Sequence, residues 1–242
     1  MIVAADKVVI PDFGGGGAHS CVRENTGFCW GWVSDNWSDV LWPALREHVV
    51  LTVIALSIGF VIAVALALAA YRMRWLESPV TIVTGLLFTI PSLALFQLLV
   101  PVSGLSRTTA EIALVSYTLL ILFRNTLTGL RGVPEDVRDA ARGMGLTDRQ
   151  VLLRVDLPLA LPAIMAGLRV AAVTTISLAT VAAYIDDEGL GAPIFAGIQS
   201  DVFKTEIIAA GALAVALALV ADGLLVGLQR GLAPWSRRLV RT

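Results

Sequence analysis

The sequence is short of charge, cysteine and histidine. Charged residues make up 15% of 242 positions, against about 25% in soluble domains. That deficit excludes an ordinary soluble globular protein. Cysteine occurs only at Cys21 and Cys29, which excludes a disulfide-rich scaffold. Histidine occurs only at His19 and His48. Neither has metal-ligand spacing with the cysteines, so no metal site is assigned. The phosphate-cradling pattern G-x-x-x-x-G-K-S/T is missing. Its nearest fragment, Lys204-Thr205, follows Phe203, so nucleotide binding of that type is excluded for this chain. No internal repeat is visible, and Gly14 to Gly17 reads as a flexible spacer. The first residues lack the basic-then-apolar order of a cleavable signal. Residues 1–38 hold no apolar run long enough to insert, so the first hydrophobic span is expected to direct the chain to the membrane.

What the sequence does have is apolar length. Hydrophobic residues make up 57% of it, and the mean hydropathy is +0.80. A spanning helix needs about 20 mostly apolar residues. Five runs meet or approach that, near 48–71, 79–100, 110–130, 159–185 and 206–228. The runs are continuous rather than alternating, which favours helices over a β-barrel. The expected fold class is an all-α polytopic membrane protein with about five transmembrane helices.

Basic residues orient such a chain. With the N-terminus outside, Arg72, Arg74, Arg131, Arg138, Arg142, Arg149, Arg154, Arg230, Arg237, Arg238 and Arg241 fall on the cytoplasmic side. Lys7, Arg23, Arg46, Arg107 and Lys204 fall outside. The bias predicts N-out and C-in. The chain then divides into an extracytoplasmic segment (1–46), a transmembrane domain (47–228) with a cytoplasmic loop (131–158), and a basic tail (229–242).

That loop is polar between long apolar runs, and a membrane protein keeps such a segment for a partner. Pro134 followed by Glu135 and Asp136 suits a helix start. Val137, Ala140, Ala141 and Met144 form an apolar stripe at helical spacing. Gly143 and Gly145 interrupt it. Thr147 and Gln150 have the spacing of a capping box, which opens a new helix. The loop is therefore expected to hold two short helices hinged at Gly145, with Leu157-Pro158-Leu159 marking re-entry to the membrane. Arg138, Arg142 and Arg149 would offer charge to a partner. An amphipathic interfacial helix is the plainer alternative.

The string Asp139-Ala140-Ala141, then Gly145, then Val155-Asp156-Leu157-Pro158 resembles the EAA loop of permease subunits from binding-protein-dependent ABC importers. Its spacings match that pattern, with Asp139 for Glu and Val155 for Ile. A second string, Thr89-Ile90-Pro91-Ser92-Leu93-Ala94-Leu95-Phe96, is similar to the TIPSLAL signature of the osmoprotectant subgroup. Arg124-Asn125-Thr126, Thr128-Gly129-Leu130-Arg131, Ala179 to Ile185 and Gly189-Leu190-Gly191 fit the same subgroup. Asp186-Asp187-Glu188 departs from it, since small residues are usual there. The resemblance covers roughly residues 47–228.

It implies a MetI-like permease fold in a bacterial cytoplasmic (inner) membrane, importing solutes such as glycine betaine, choline, carnitine or proline betaine by alternating access. It implies a non-catalytic subunit without cofactor, ATP being bound by a partner. The implied partners are two ABC ATPase subunits, an extracytoplasmic solute-binding protein and a second permease, the same chain or a homologous one. Membrane lipid surrounds the chain, and no nucleic acid is expected. Residues assigned to ATPase coupling are Arg138, Asp139, Ala140, Ala141, Arg142, Gly145, Leu157 and Pro158. Thr89, Pro91, Ser92, Arg169 and Asp222 are assigned to the translocation path or gate.

Several residues carry two readings. Pro91 either kinks a path-lining helix or makes a packing kink. Arg169 and Asp222 are charges within hydrocarbon, and their similar depth predicts a pair, as a structural tie rather than a substrate contact. Trp30, Trp32, Trp37 and Trp42 fit an interfacial belt better than a cation cage. Cys21 and Cys29 lie in the expected external segment, where a disulfide is allowed; two unpaired thiols is the alternative. An importer for methionine or another amino acid, a stand-alone ion-coupled carrier and a scaffold subunit are the competing functions. The carrier is disfavoured by five spans without a repeat.

Overall fold

The computed structural model describes residues 20–25, 27–200 and 202–235. The spacer at 14–17, His19, Asp201, the arginines at 237, 238 and 241, and the expected N-terminal segment before residue 20 lie outside the described residues.

Among the described residues every regular element is helical. Two short helices, α1 (Ser20–Glu24) and α2 (Trp30–Asp35), form a cap. A π turn (Trp37–Leu41) leads into α3 (Trp42–Arg72), which carries Pro43 in its first turn, where a missing N–H costs nothing. A 3-10 turn (Arg74–Leu76) precedes α4 (Glu77–Thr89), followed by α5 (Ser92–Ser103). Next come α6 (Arg107–Arg131), α7 (Glu135–Gly143) and α8 (Asp148–Val151). A π turn (Leu152–Asp156) joins α8 to α9 (Leu157–Asp186), and α10 (Gly191–Gln199) and α11 (Lys204–Leu232) follow.

Among the described residues, four helical runs are long and apolar enough to cross a membrane: Trp37–Arg72, Arg107–Arg131, Asp148–Asp186 and Lys204–Leu232. The second expected span differs. It is broken at Ile90-Pro91 into α4 and α5, bent by 101°, and counts as a fifth crossing only if the pair is taken as one. Proline alone kinks a helix far less sharply, and Ile90 and Pro91 are both extended here.

The loop also differs from expectation. Its second helix is not separate, because α8, the π turn and α9 run on as one helix from Asp148 to Asp186. The wide π turn carries the axis past Pro158, which falls in the first turn of α9.

The core forms around α6, packed between α3 and α9. Ala63, Ala67 and Ala70 of α3 and Ala171 of α9 meet Leu122, Phe123 and Leu127 of α6. Small residues let helix backbones approach without a water-driven hydrophobic force. At Gly167 the approach is obligatory: an added Cβ would stand 2.5 Å from Asn125 Cβ. Toward the other end, Leu95 and Phe96 of α5 join Leu114 and Tyr117 of α6 and Ala179 and Ala182 of α9.

The cap sits on the start of α11. Cys21 and Cys29 are joined as a disulfide. Asn25 Nδ2 donates to the Val202 carbonyl at 2.9 Å, and the Cys29 N–H donates to Thr205 Oγ1 at 2.9 Å. Trp32 is buried against Phe203, while Trp30, Trp37 and Trp42 are exposed.

Candidate functional site

The loop between α6 and α9 turns on two local signals. Gly145 has φ +88°, a backbone region that glycine adopts without penalty. Thr147 Oγ1 then accepts from the Gln150 N–H, and Gln150 Oε1 accepts from the Thr147 N–H, closing the capping box. Together they reverse the chain from α7 into α8.

Contacts from distant residues hold α7 in place. Asp156, 3% exposed, accepts from Arg138 Nε at 2.9 Å on one oxygen and from the Tyr71 hydroxyl at 2.9 Å on the other. Arg138 also donates to Glu135 at 2.8 Å and to the Leu130 carbonyl at 2.7 Å. The Leu130 carbonyl belongs to the last turn of α6, where carbonyls lack helical partners. One guanidinium thus joins α7 to the end of α6, and one carboxylate joins it to α3 and α9. The Arg138 guanidinium also lies 5.7 Å from the Tyr71 ring centroid.

Arg138 is therefore turned inward and bonded within the chain, an arrangement the sequence did not suggest. Ala141 is buried on the same side of α7, while Val137, Ala140 and Met144 are exposed on the other. Asp139 and Arg142 are exposed and bonded to one another at 3.1 Å. Arg142 also reaches Glu135 at 3.0 Å. Hydrogen bonds from Arg138 and then Arg142 hold the Glu135 carboxyl below its ordinary range. Leu157 and Pro158 are half-buried at the start of α9. Asp156 and Tyr71 went unassigned in the sequence. Asp156 stood at an unspecified position of the loop pattern, and only its being a carboxylate among apolar residues marked it.

At the break, the Tyr117 hydroxyl donates to the Ile90 carbonyl freed by the bend. Thr89 and Pro91 are exposed and Ser92 is half-buried. Thr89 Oγ1 donates to its own helix at the Leu86 carbonyl, 2.8 Å away.

Arg169 and Asp222 meet across α9 and α11. Nε and Nη2 of the arginine donate to the two carboxylate oxygens at 2.7 and 2.9 Å, a forked geometry. The pair lines a cavity of about 390 Å³ with Ala166, Val170, Val173 and Thr174.

At the far end of α9, the turn after Asp186 folds back onto α3. The Leu190 N–H donates to His48 Nδ1 at 3.2 Å, so Nε2 carries the proton toward the Ile176 carbonyl at 3.0 Å. Glu188 is not free: it pairs with Arg107 at 3.5 Å, which also holds Glu111 at 3.0 Å.

Known proteins resemble this chain in sequence and in fold. Residues 48–236 match the family described as binding-protein-dependent transport system inner membrane component. The chain is 36% identical over 189 residues to the choline transport system permease protein OpuBB of Bacillus subtilis, covering 78% of this chain and 86% of that one. It is 40% identical over 194 residues to the osmoprotectant import permease protein OsmW of Salmonella typhimurium, covering 78% and 89%. Among solved structures, an inward-facing form of the MetNI methionine ABC transporter aligns with TM-score 0.72 at 20% identity, over 82% of this chain and 98% of that one; this likeness concerns the fold. With the match spanning every long helix and the hinged loop, the chain belongs to the inner membrane components of binding-protein-dependent transport systems and is a multi-pass membrane protein.

Proposed function

We propose that this chain is the permease subunit of an ATP-driven importer for compatible solutes of the glycine betaine, choline, carnitine or proline betaine class. The names of its relatives, which include choline, carnitine and osmoprotectant permeases, support that substrate class. It runs N-out and C-in, as the arginine distribution favours. ATP is bound and hydrolysed by a separate ATPase, two of which dock on the loops of two permeases. A solute-binding protein delivers the solute from outside, near residues 186–201 and the outer loop of the second expected span.

The observation that carries this proposal is the construction of α7. Its exposed apolar face of Val137, Ala140 and Met144 suits a protein cleft. Its opposite face is tied through Arg138 and Asp156 to α3, α6 and α9. Closure of the ATPases would move α7, and the tie would pass that movement to the spans, giving alternating access. Thr89, Pro91, Ser92 and the Arg169–Asp222 pair lie along the translocation path, where an unshielded charge would be costly.

The test is Gly145→Ile. A β-branched side chain at φ +88° is strained. The variant should insert and assemble normally, yet hydrolyse ATP without solute uptake in vesicles holding the complete transporter. Full uptake would refute the coupling role.

A further inference from the structure

A cavity of about 910 Å³ opens between the end of α3, the 3-10 turn after it and the loop. Six arginines line it, Arg72, Arg74, Arg131, Arg138, Arg142 and Arg149, against two carboxylates, Glu135 and Asp148. Three of the six are already neutralised. Arg131 is bonded to Glu77 at 2.6 Å, Arg138 to Asp156, and Arg142 to Glu135. Arg72, Arg74 and Arg149 make no hydrogen bond or ion pair among the described residues. Arg131 lowers the Glu77 carboxyl, and Arg74 is near enough to help. No described carboxylate is bonded to any of the three, however, and three such cations around one cavity suit an anion.

The surroundings indicate where that anion comes from. Arg72 is the last residue of a membrane-spanning helix, and Arg74 opens the turn into the next apolar helix. Between and beside them, Met73 and Trp75 are 45% and 70% exposed. Tryptophan next to arginine at a span's end marks the headgroup level of a bilayer. Basic pockets between spans at that level suit lipid headgroups.

The loop's apolar docking face does not compete for the cavity. At ~100° per residue, Glu135, Arg138 and Arg142 point to one side of α7, and Val137, Ala140 and Met144 to roughly the opposite side. An ATPase seated on the apolar face leaves the arginine wall free.

We propose that this cavity binds the phosphate of an anionic phospholipid headgroup, held by Arg72, Arg74 and Arg149, with the lipid's chains lying beside Trp75. The phosphate is the recognised group, and a soluble phosphate offers the same chemistry without chains. The proposal rests on the membrane-spanning fold and not on the transported solute or on which side the cavity faces.

The experiment is native mass spectrometry of the full chain in detergent, titrated with phosphatidylglycerol or phosphatidylcholine. The wild type should retain phosphatidylglycerol about tenfold more strongly than phosphatidylcholine, since each basic residue near a lipid surface adds appreciably to anionic binding. Arg72→Gln/Arg74→Gln/Arg149→Gln should lose that preference. Arg72→Lys/Arg74→Lys/Arg149→Lys should keep most of it, and unchanged circular dichroism in both variants separates binding from folding. Millimolar inorganic phosphate should not displace the lipid. Equal retention of the two lipids, or undiminished preference in the glutamine variant, overturns the proposal. Displacement by inorganic phosphate overturns it in favour of a soluble anion.

Discussion

Two arginine–aspartate contacts in this protein look alike on paper and differ in kind. Arg138–Asp156 is 11% and 4% exposed at its side chains, and Arg169–Asp222 is 35% and 34% exposed. The first shares its polar groups with Tyr71, Glu135 and the Leu130 carbonyl. The second has one forked contact and opens on a cavity. Burial with full satisfaction makes a structural joint. Partial exposure within spans leaves the second pair with fewer partners and on the wall of a cavity.

The contrast can be broken most severely at Asp156. Asp156→Ala strips a buried arginine of its carboxylate and a tyrosine of its acceptor, a loss of about 3–5 kcal/mol for one partner of a buried pair. Thermal unfolding in detergent should drop sharply, and α7 should become protease-sensitive. A melting curve like the wild type's would show the network to be incidental.

A gentler outcome is expected at the other pair. Arg169→Ala and Asp222→Ala should each lower the melting temperature and uptake. The double variant should lose less than the sum, because each single variant strands an unpaired charge. Strict additivity would mean that the contact has no energetic weight.

The smallest effect concerns Glu135. Its carboxyl is held below the ordinary range by Arg138 and Arg142. Such a group adds stability above its unfolded value and loses that contribution as pH falls through its folded value. Glu135→Gln should therefore be slightly less stable than the wild type near neutrality, with the gap closing on acidification. A gap that widens toward acid would reverse the assigned role.

How much was legible in the sequence follows from how local each cause is. The Gly145 turn and the Thr147–Gln150 box depend on neighbours three residues apart and could be read directly. So could the long apolar runs. The Arg169–Asp222 contact was reachable because two charges in hydrocarbon have few other solutions. The internal bonds of Arg138 were not legible because its partner Asp156 lies eighteen residues on and that carboxylate's other partner, Tyr71, is in another span. At Pro91 a kink was foreseeable, but the 101° bend was not. It is accompanied by a contact no local pattern shows, the Tyr117 hydroxyl of a different helix donating to the Ile90 carbonyl. His48 appeared isolated because its partners at 176 and 190 are joined to it only by folding.

The unbroken run from Asp148 to Asp186 has 39 residues. At a rise of 1.5 Å each it is roughly 58 Å long, nearly twice the thickness of the hydrocarbon layer. It behaves as a rod with one end in the hinged loop and the other in the turn clasped by His48. Under the proposed coupling, a few ångströms of travel at the loop would reach the far side of the bilayer as tilt, with the π turn at Leu152–Asp156 and Pro162 as the two places where the run could bend. The His48 imidazole, bonded to the Ile176 carbonyl and the Leu190 N–H, is where that tilt would be felt outside the loop.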